Sequence, residues 1–220
     1  MPNNVIVNWD GGEVSGRLEG DGSDGILLAH GAGTNQDHPL MVMLRGGLAE
    51  AGHTVMSFNY PYTERGSKSP DRAEKLLVCH QAAADFLRPT VDHLYLAGRS
   101  MGGRIGTYVV AEGGEASGLI LYAYPLHPSG KPEKLRVDQF SQIAVPMLFF
   151  QGTSDALSRM ELFEEHIATL PNTTIEILEG ATHGAKGGGW TTETMVERLV
   201  ADTTTWVGAI SSGRSSHKGP

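Results

Sequence analysis

The chain has 220 residues, one cysteine and a net charge of −8, from 17 Lys and Arg against 25 Asp and Glu. That length suits one domain with a full hydrophobic core, the single Cys79 excludes an intrachain disulfide, and the acidic balance argues against nucleic acid or anionic membranes as partners. Glycine is in excess at 29 residues, well above the usual share of about 7%, and it follows no three-residue period, so tight turns rather than collagen must account for it.

Residues 5–9 and 14–19 flank Asp10-Gly11-Gly12 and predict an antiparallel hairpin. Residues 26–30 form a continuous apolar run, too short for a helix, which fits a strand buried on both faces. A helix over 40–51 ending at Gly52, a strand over 54–60, a polar loop over 61–70 and a helix over 71–87 stopped by Pro89 follow. The alternation continues with a strand at 93–97, a helix at 101–111 and a strand at 118–123. After an irregular segment and a short helix at 135–142 come a strand at 147–151, a helix at 159–170, a strand at 174–178 and a last helix at 191–210.

Repeated strand–helix units after a hairpin predict the α/β class: a mostly parallel sheet of about eight strands with helices on both faces. Residues 1–210 are expected to form one domain and the Gly/Ser-rich residues 211–220 a disordered tail. There is no basic N-terminal region followed by an apolar core, and no apolar run approaches the ~18 residues of a membrane span. A soluble cytoplasmic protein is the expectation.

In such sheets the chemistry collects at the carboxyl ends of the strands. After the strand ending at Ala97 stands Gly98-Arg99-Ser100-Met101-Gly102 and then a helix. This is G-x-S-x-G in a strand–turn–helix context, where a sharp turn lifts the serine above the sheet and the glycines avoid a clash with neighbouring backbone. A serine needs a base, and the base an orienting acid. Asp155 follows the 147–151 strand in Gly152-Thr153-Ser154-Asp155, and His183 follows the 174–178 strand in Thr182-His183-Gly184. Taken alone, Asp155 would read as a helix cap; the order Ser, Asp, His favours the catalytic role, with Asp138 as the alternative acid. The oxyanion donors are expected at the N–H of Met101 and, from His30-Gly31-Ala32-Gly33, at Ala32 or Gly33. That second turn lacks the third glycine of a dinucleotide loop, and no metal-ligand spacing is present.

Taken together, His30-Gly31-Ala32-Gly33, Gly98-Arg99-Ser100-Met101-Gly102-Gly103, Gly152-Thr153-Ser154-Asp155 and Thr182-His183-Gly184 resemble the α/β-hydrolase superfamily over residues 13–210. Asp37-His38-Pro39 and the segment 124–132 are similar to the small cap-less branch near dienelactone hydrolase, although that enzyme has cysteine where this chain has Ser100. The resemblance implies an α/β-hydrolase fold, no cofactor and a small-molecule ester (or thioester or lactone) as substrate. The short connection 124–145 leaves no room for a cap domain. Arg99, Tyr62 and His127 are candidate substrate contacts, and Gly187-Gly188-Gly189 reads as a mobile stretch after His183. The expected function is ester hydrolysis through an acyl-enzyme on Ser100. The alternatives are a catalytically silent binding module and an acyltransferase or perhydrolase using the same trio.

Overall fold

A computed structural model describes residues 1–213. The hairpin is β1 (Asn3–Trp9) and β2 (Gly12–Glu19), paired antiparallel with Val7 opposite Val14. The remaining strands are β3 (Asp24–Ala29), β4 (Thr54–Phe58), β5 (His93–Arg99), β6 (Gly118–Tyr122), β7 (Met147–Gly152) and β8 (Thr173–Leu178). The sheet order is β1-β2-β4-β3-β5-β6-β7-β8, and all pairs from β4 onward are parallel. β5 is central, so whatever follows it emerges mid-sheet.

The central strands are apolar on both faces because helices cover both. α1 (Pro39–Glu50) and α6 (Thr192–Ser211) enclose one face around Leu44, Leu199 and Trp206. α3 (Ala73–Leu87), α4 (Met101–Ala111) and α5 (Met160–His166) cover the other around Ile105, Phe149 and Phe163. The starts of α1 and α6 follow local rules. Pro39 opens α1 and His38 accepts from the Leu40 N–H, while Thr191 and Thr194 form a reciprocal capping box on α6.

Several boundaries differ from the sequence expectation. A short helix, α2 (Pro61–Glu64), occupies the start of the expected loop, with Pro61 supplying the preset first helical position. α5 ends at His166 rather than 170: Ile167 N and Ala168 N both turn to Phe163 O, and Leu170 N donates to Ile167 O in a separate turn before Pro171. The 135–142 helix is only a 3-10 turn, Asp138–Gln142. β5 runs two residues further, since Gly98 and Arg99 pair with Leu121 and Tyr122. The connection 123–146 forms no cap. It folds back on the sheet through buried Tyr124, Leu126 and Phe140, and the Tyr124 hydroxyl donates to Arg136 O at 2.8 Å. α6 reaches Ser211, so the expected tail begins inside the helix, and residues 214–220 lie outside the described residues. No helix among the described residues is long and apolar enough to cross a membrane.

Candidate active site

Between β5 and α4 stands a single residue, Ser100, at φ 51° and ψ −114°. A non-glycine residue there stores strain of roughly 1–3 kcal/mol. The packing that imposes it is visible at the flanking glycines. A Cβ on Gly98 would stand 2.3 Å from the backbone of Gly102 and Gly103, and one on Gly102 would stand 2.4 Å from Ala29 O. The turn is therefore pressed against itself and against the end of β3, which lifts the Ser100 side chain above the sheet.

Ser100 Oγ lies 2.8 Å from His183 Nε2, and His183 Nδ1 lies 2.8 Å from Asp155 Oδ2. Asp155 is buried, and its Oδ1 accepts the Leu157 N–H at 2.8 Å. A carboxylate only accepts, so Nδ1 carries the proton and Nε2 is left free to accept from the serine hydroxyl. Asp138 lies in the 3-10 turn before β7 and takes no part in this chain.

Asp155 and His183 come from adjacent strands, β7 and β8, and their loops are stitched together. Ser154 N donates to Ala181 O at 3.0 Å, and Gly180 N donates to Thr153 Oγ1 at 2.7 Å. The His183 loop closes through a backbone crossing. A Cβ on Gly180 would stand 2.5 Å from Gly188 Cα, and one on Gly188 would stand 2.4 Å from Glu179 O, while Gly188 sits at φ +59°. Trp190 Nε1 also donates to Glu179 O at 2.9 Å. Within the triglycine, expected as a mobile stretch, Gly187 and Gly188 thus form a packed crossing that only residues without Cβ can make, while Gly189 has open space around it.

Arg99 adds a contact that has no counterpart in the sequence expectation. Its Nη2 donates to the His183 carbonyl at 2.6 Å, joining the residue before Ser100 to the loop of its histidine. The two lie far apart in the chain, and no local signal announces the pairing.

The turn after β3 faces Ser100 from the other side, with the position of a Gly31 Cβ 3.7 Å from Ser100 Cβ. Thr34 N donates to Gly31 O, which leaves Ala32 exposed at the turn, and its N–H makes no hydrogen bond within the described residues. Met101 opens α4, so its N–H has no acceptor within the helix. Two free N–H groups therefore flank Ser100. What holds this turn is also absent from the sequence expectation. Buried His30 has Nδ1 2.9 Å from Gly31 O and accepts the Tyr60 N–H at Nε2, at 3.3 Å.

Two candidate substrate contacts are placed elsewhere. Tyr62 is buried, with its hydroxyl 3.5 Å from Gly31 O, so it backs the turn from beneath. His127 is buried too; Nδ1 donates to Pro128 O at 3.0 Å and Nε2 accepts the Arg159 N–H at 3.4 Å. Both its ring nitrogens serve the backbone, and it acts as a structural link between the 124–134 segment and α5. Arg99 alone of the three stays half-buried at the site.

Burial lowers the His30 pKa from 6.5 to about 4, against the opposing hydrogen bond to Gly31, and lowers buried His80 to about 3. A histidine held neutral in the folded state contributes stability above its unfolded pKa and loses it as pH falls, because the unfolded chain binds the extra proton. Urea midpoints should therefore drop as pH falls from about 6.5 toward 4, each histidine adding about 1.4 kcal/mol per pH unit. Because the Tyr60 hydroxyl lies 2.9 Å from His80 Nδ1, His80→Asn keeps a polar partner there without titrating. Its slope over this window should be shallower by about one proton; an unchanged slope would refute the assignment to His80.

A small apolar cavity lies under the His183 loop between α1 and α6, lined by Leu40, Leu44, Leu178, Met195 and Leu199, with Arg99 and His183 at its edge. Among the described residues no group of three His, Cys, Asp or Glu is placed to hold a metal ion.

Comparison with known proteins bears on the same features. The family model described as an alpha/beta hydrolase domain matches residues 23–208. The fold is similar to that of XC6422 from Xanthomonas campestris, an α/β serine hydrolase without lid, with TM-score 0.71 and 19% identity, covering 100% of this chain and 97% of that one. It is also similar to Est1E from Butyrivibrio proteoclasticus, with TM-score 0.75, 16% identity and coverage of 93% and 99%. The Pyrococcus furiosus esterase Pf2001 aligns with TM-score 0.75, 16% identity and coverage of 94% and 92%.

Proposed function

Since the chain belongs to the alpha/beta-hydrolase domain family, we propose that it is a serine hydrolase that cleaves carboxylic esters through an acyl-enzyme on Ser100. The observation that carries this reading is the unbroken hydrogen-bonded chain from Ser100 through His183 to buried Asp155. Esterases among the structures of similar fold lend it further support.

In the proposed reaction His183 Nε2 takes the Ser100 hydroxyl proton as Oγ attacks the ester carbonyl. The negative charge passes to the carbonyl oxygen, where the N–H groups of Met101 and Ala32 receive it. Asp155 holds the imidazole in the required tautomer and stabilises the imidazolium. The C–O bond to the alcohol breaks as His183 returns the proton to the leaving oxygen. Water then enters, loses a proton to Nε2 and attacks the acyl carbon. The second tetrahedral intermediate expels Ser100 Oγ, which recovers its proton, and the acid departs. No step calls on a cofactor.

A fluorophosphonate probe tests the reading directly. Wild-type protein should be labelled on Ser100 and should cleave short-chain esters in a pH-stat, and Ser100→Ala should do neither. An unlabelled wild type, or equal labelling of the variant, overturns the proposal.

A further inference from the structure

We propose that the site takes esters bearing a carboxylate close to the scissile carbonyl, and that Arg99 binds that carboxylate. The inference rests on the hydrolase reading above and names its substrate class.

The guanidinium of Arg99 lies between two neighbours of the nucleophile. Nη1 is 3.0 Å from where a Gly31 Cβ would stand, and Nη2 donates to His183 O at 2.6 Å. Gly31 and His183 both pack directly against Ser100. Among the described residues no Asp or Glu forms an ion pair with Arg99. Its Nε and Nη1 make no hydrogen bond there, and neither is sealed from solvent. A half-buried guanidinium without a counter-ion is costly, and the fold nevertheless places one beside the reacting serine. Burial pushes its pKa down, opposed by the attraction of Asp155.

The distribution of charge around Ser100 points the same way. The chain carries 25 Asp and Glu. Yet the cavity under the His183 loop has none in its lining, where Arg99 and His183 are the charged or basic groups. The cleft beyond the Gly31 turn has none either; His38 and Lys68 line it beside Gly33, Thr34 and Thr63. On the far side of Asp155 the groove does hold acids, Glu133 and Glu161, beside Arg159. Negative charge is thus kept from one flank of the serine in a protein that is otherwise rich in it. An anionic group approaching that flank meets Arg99, with no carboxylate among the residues that line it. Nη2 gives only one of its two N–H groups to His183 O, so a planar carboxylate can still accept two parallel N–H bonds, one from the other Nη2 N–H and one from Nη1 or Nε.

The test compares monoethyl succinate with ethyl pentanoate, which have chains of similar length with and without the charge. Wild type should favour the succinate ester in kcat/KM by roughly tenfold or more, as expected for a charged hydrogen bond at a half-buried site. Arg99→Gln should slow both esters, because the hold on His183 is lost, and should also bring their ratio to one or below. Arg99→Lys should recover part of the preference. With wild type alone, propionate should competitively inhibit ethyl pentanoate hydrolysis where propionamide does not. A wild-type ratio near one, a ratio unchanged in Arg99→Gln, or equal inhibition by the two propionyl compounds overturns the proposal. If Ser100 takes the fluorophosphonate label and these preferences are missing, only the carboxylate site falls. If neither labelling nor turnover is seen, the hydrolase reading falls and takes this inference with it.

Discussion

Asp155→Asn is expected to lower kcat/KM for ester hydrolysis by roughly 10⁴-fold while the fold stays intact. The geometry decides which way the new amide must face. Oδ1 of residue 155 accepts the Leu157 N–H at 2.8 Å, and only the amide oxygen can continue to accept there. The NH₂ is then turned toward His183 Nδ1, the place Oδ2 now occupies at 2.8 Å. An NH₂ donates, so Nδ1 must accept and the imidazole proton moves to Nε2. In that tautomer Nε2 can no longer take the proton of Ser100, which lies 2.8 Å away. Steady-state kinetics beside a thermal melt would check this. A loss of less than tenfold with a native melt would show that Asp155 does not orient the histidine.

The second expectation is a reversal of sign between two glycine substitutions in helices. Helix propensity alone says that Gly→Ala stabilises by up to about 1 kcal/mol. A Cβ on Gly46 in α1 would have nothing within 4 Å, so Gly46→Ala should show that gain. In Gly102→Ala the new Cβ would meet Ala29 O at 2.4 Å, Ala29 C at 2.6 Å and His30 O at 2.8 Å. All three are backbone atoms at the end of a buried central strand, so no side-chain rotation relieves the overlap. Forced shifts of this kind cost roughly 3 kcal/mol, enough to outweigh the propensity gain. For a chain of this size each kcal/mol moves the melting temperature by about 2–4 °C. Gly46→Ala should therefore melt slightly above wild type and Gly102→Ala several degrees below it. Gly102→Ala should also lose activity, because α4 would be pushed from β3 and the Ser100 turn from the Gly31 turn. A Gly102→Ala protein as stable and active as wild type would show that the elbow is not pressed against β3.

Much of the fold and of the site is encoded locally and is legible in the chain. Ile26–Ala29 and Met147–Phe150 are apolar throughout because both faces of the sheet are covered, and that alone marks them as central strands. Gly98, Ser100 and Gly102 mark the elbow because the clash that demands the glycines lies within five residues and at the end of the neighbouring strand. Asp155 and His183 stand out because each follows a strand, and parallel strands deliver their ends to one edge.

The remaining features depend on contacts between distant segments. Tyr62 and His127 look like surface residues of polar loops, yet both are buried, Tyr62 within the apolar cluster beside the Gly31 turn and His127 with its Nε2 on the Arg159 N–H. The triglycine after His183 has the composition of a loose loop, and its Gly187 and Gly188 are packed because Gly180 and Glu179 lie across them. Arg99 is a variable position within a five-residue motif, and its bond to His183 exists only once β5 and β8 reach the same sheet edge. The order of elements and the three residues at their ends follow from hydrophobic period and turn chemistry, which act between near neighbours along the chain. Which side chains are buried, how the histidine loop is held and where charge is kept away from Ser100 were decided by the tertiary structure, because close packing and electrostatics depend on distance in space.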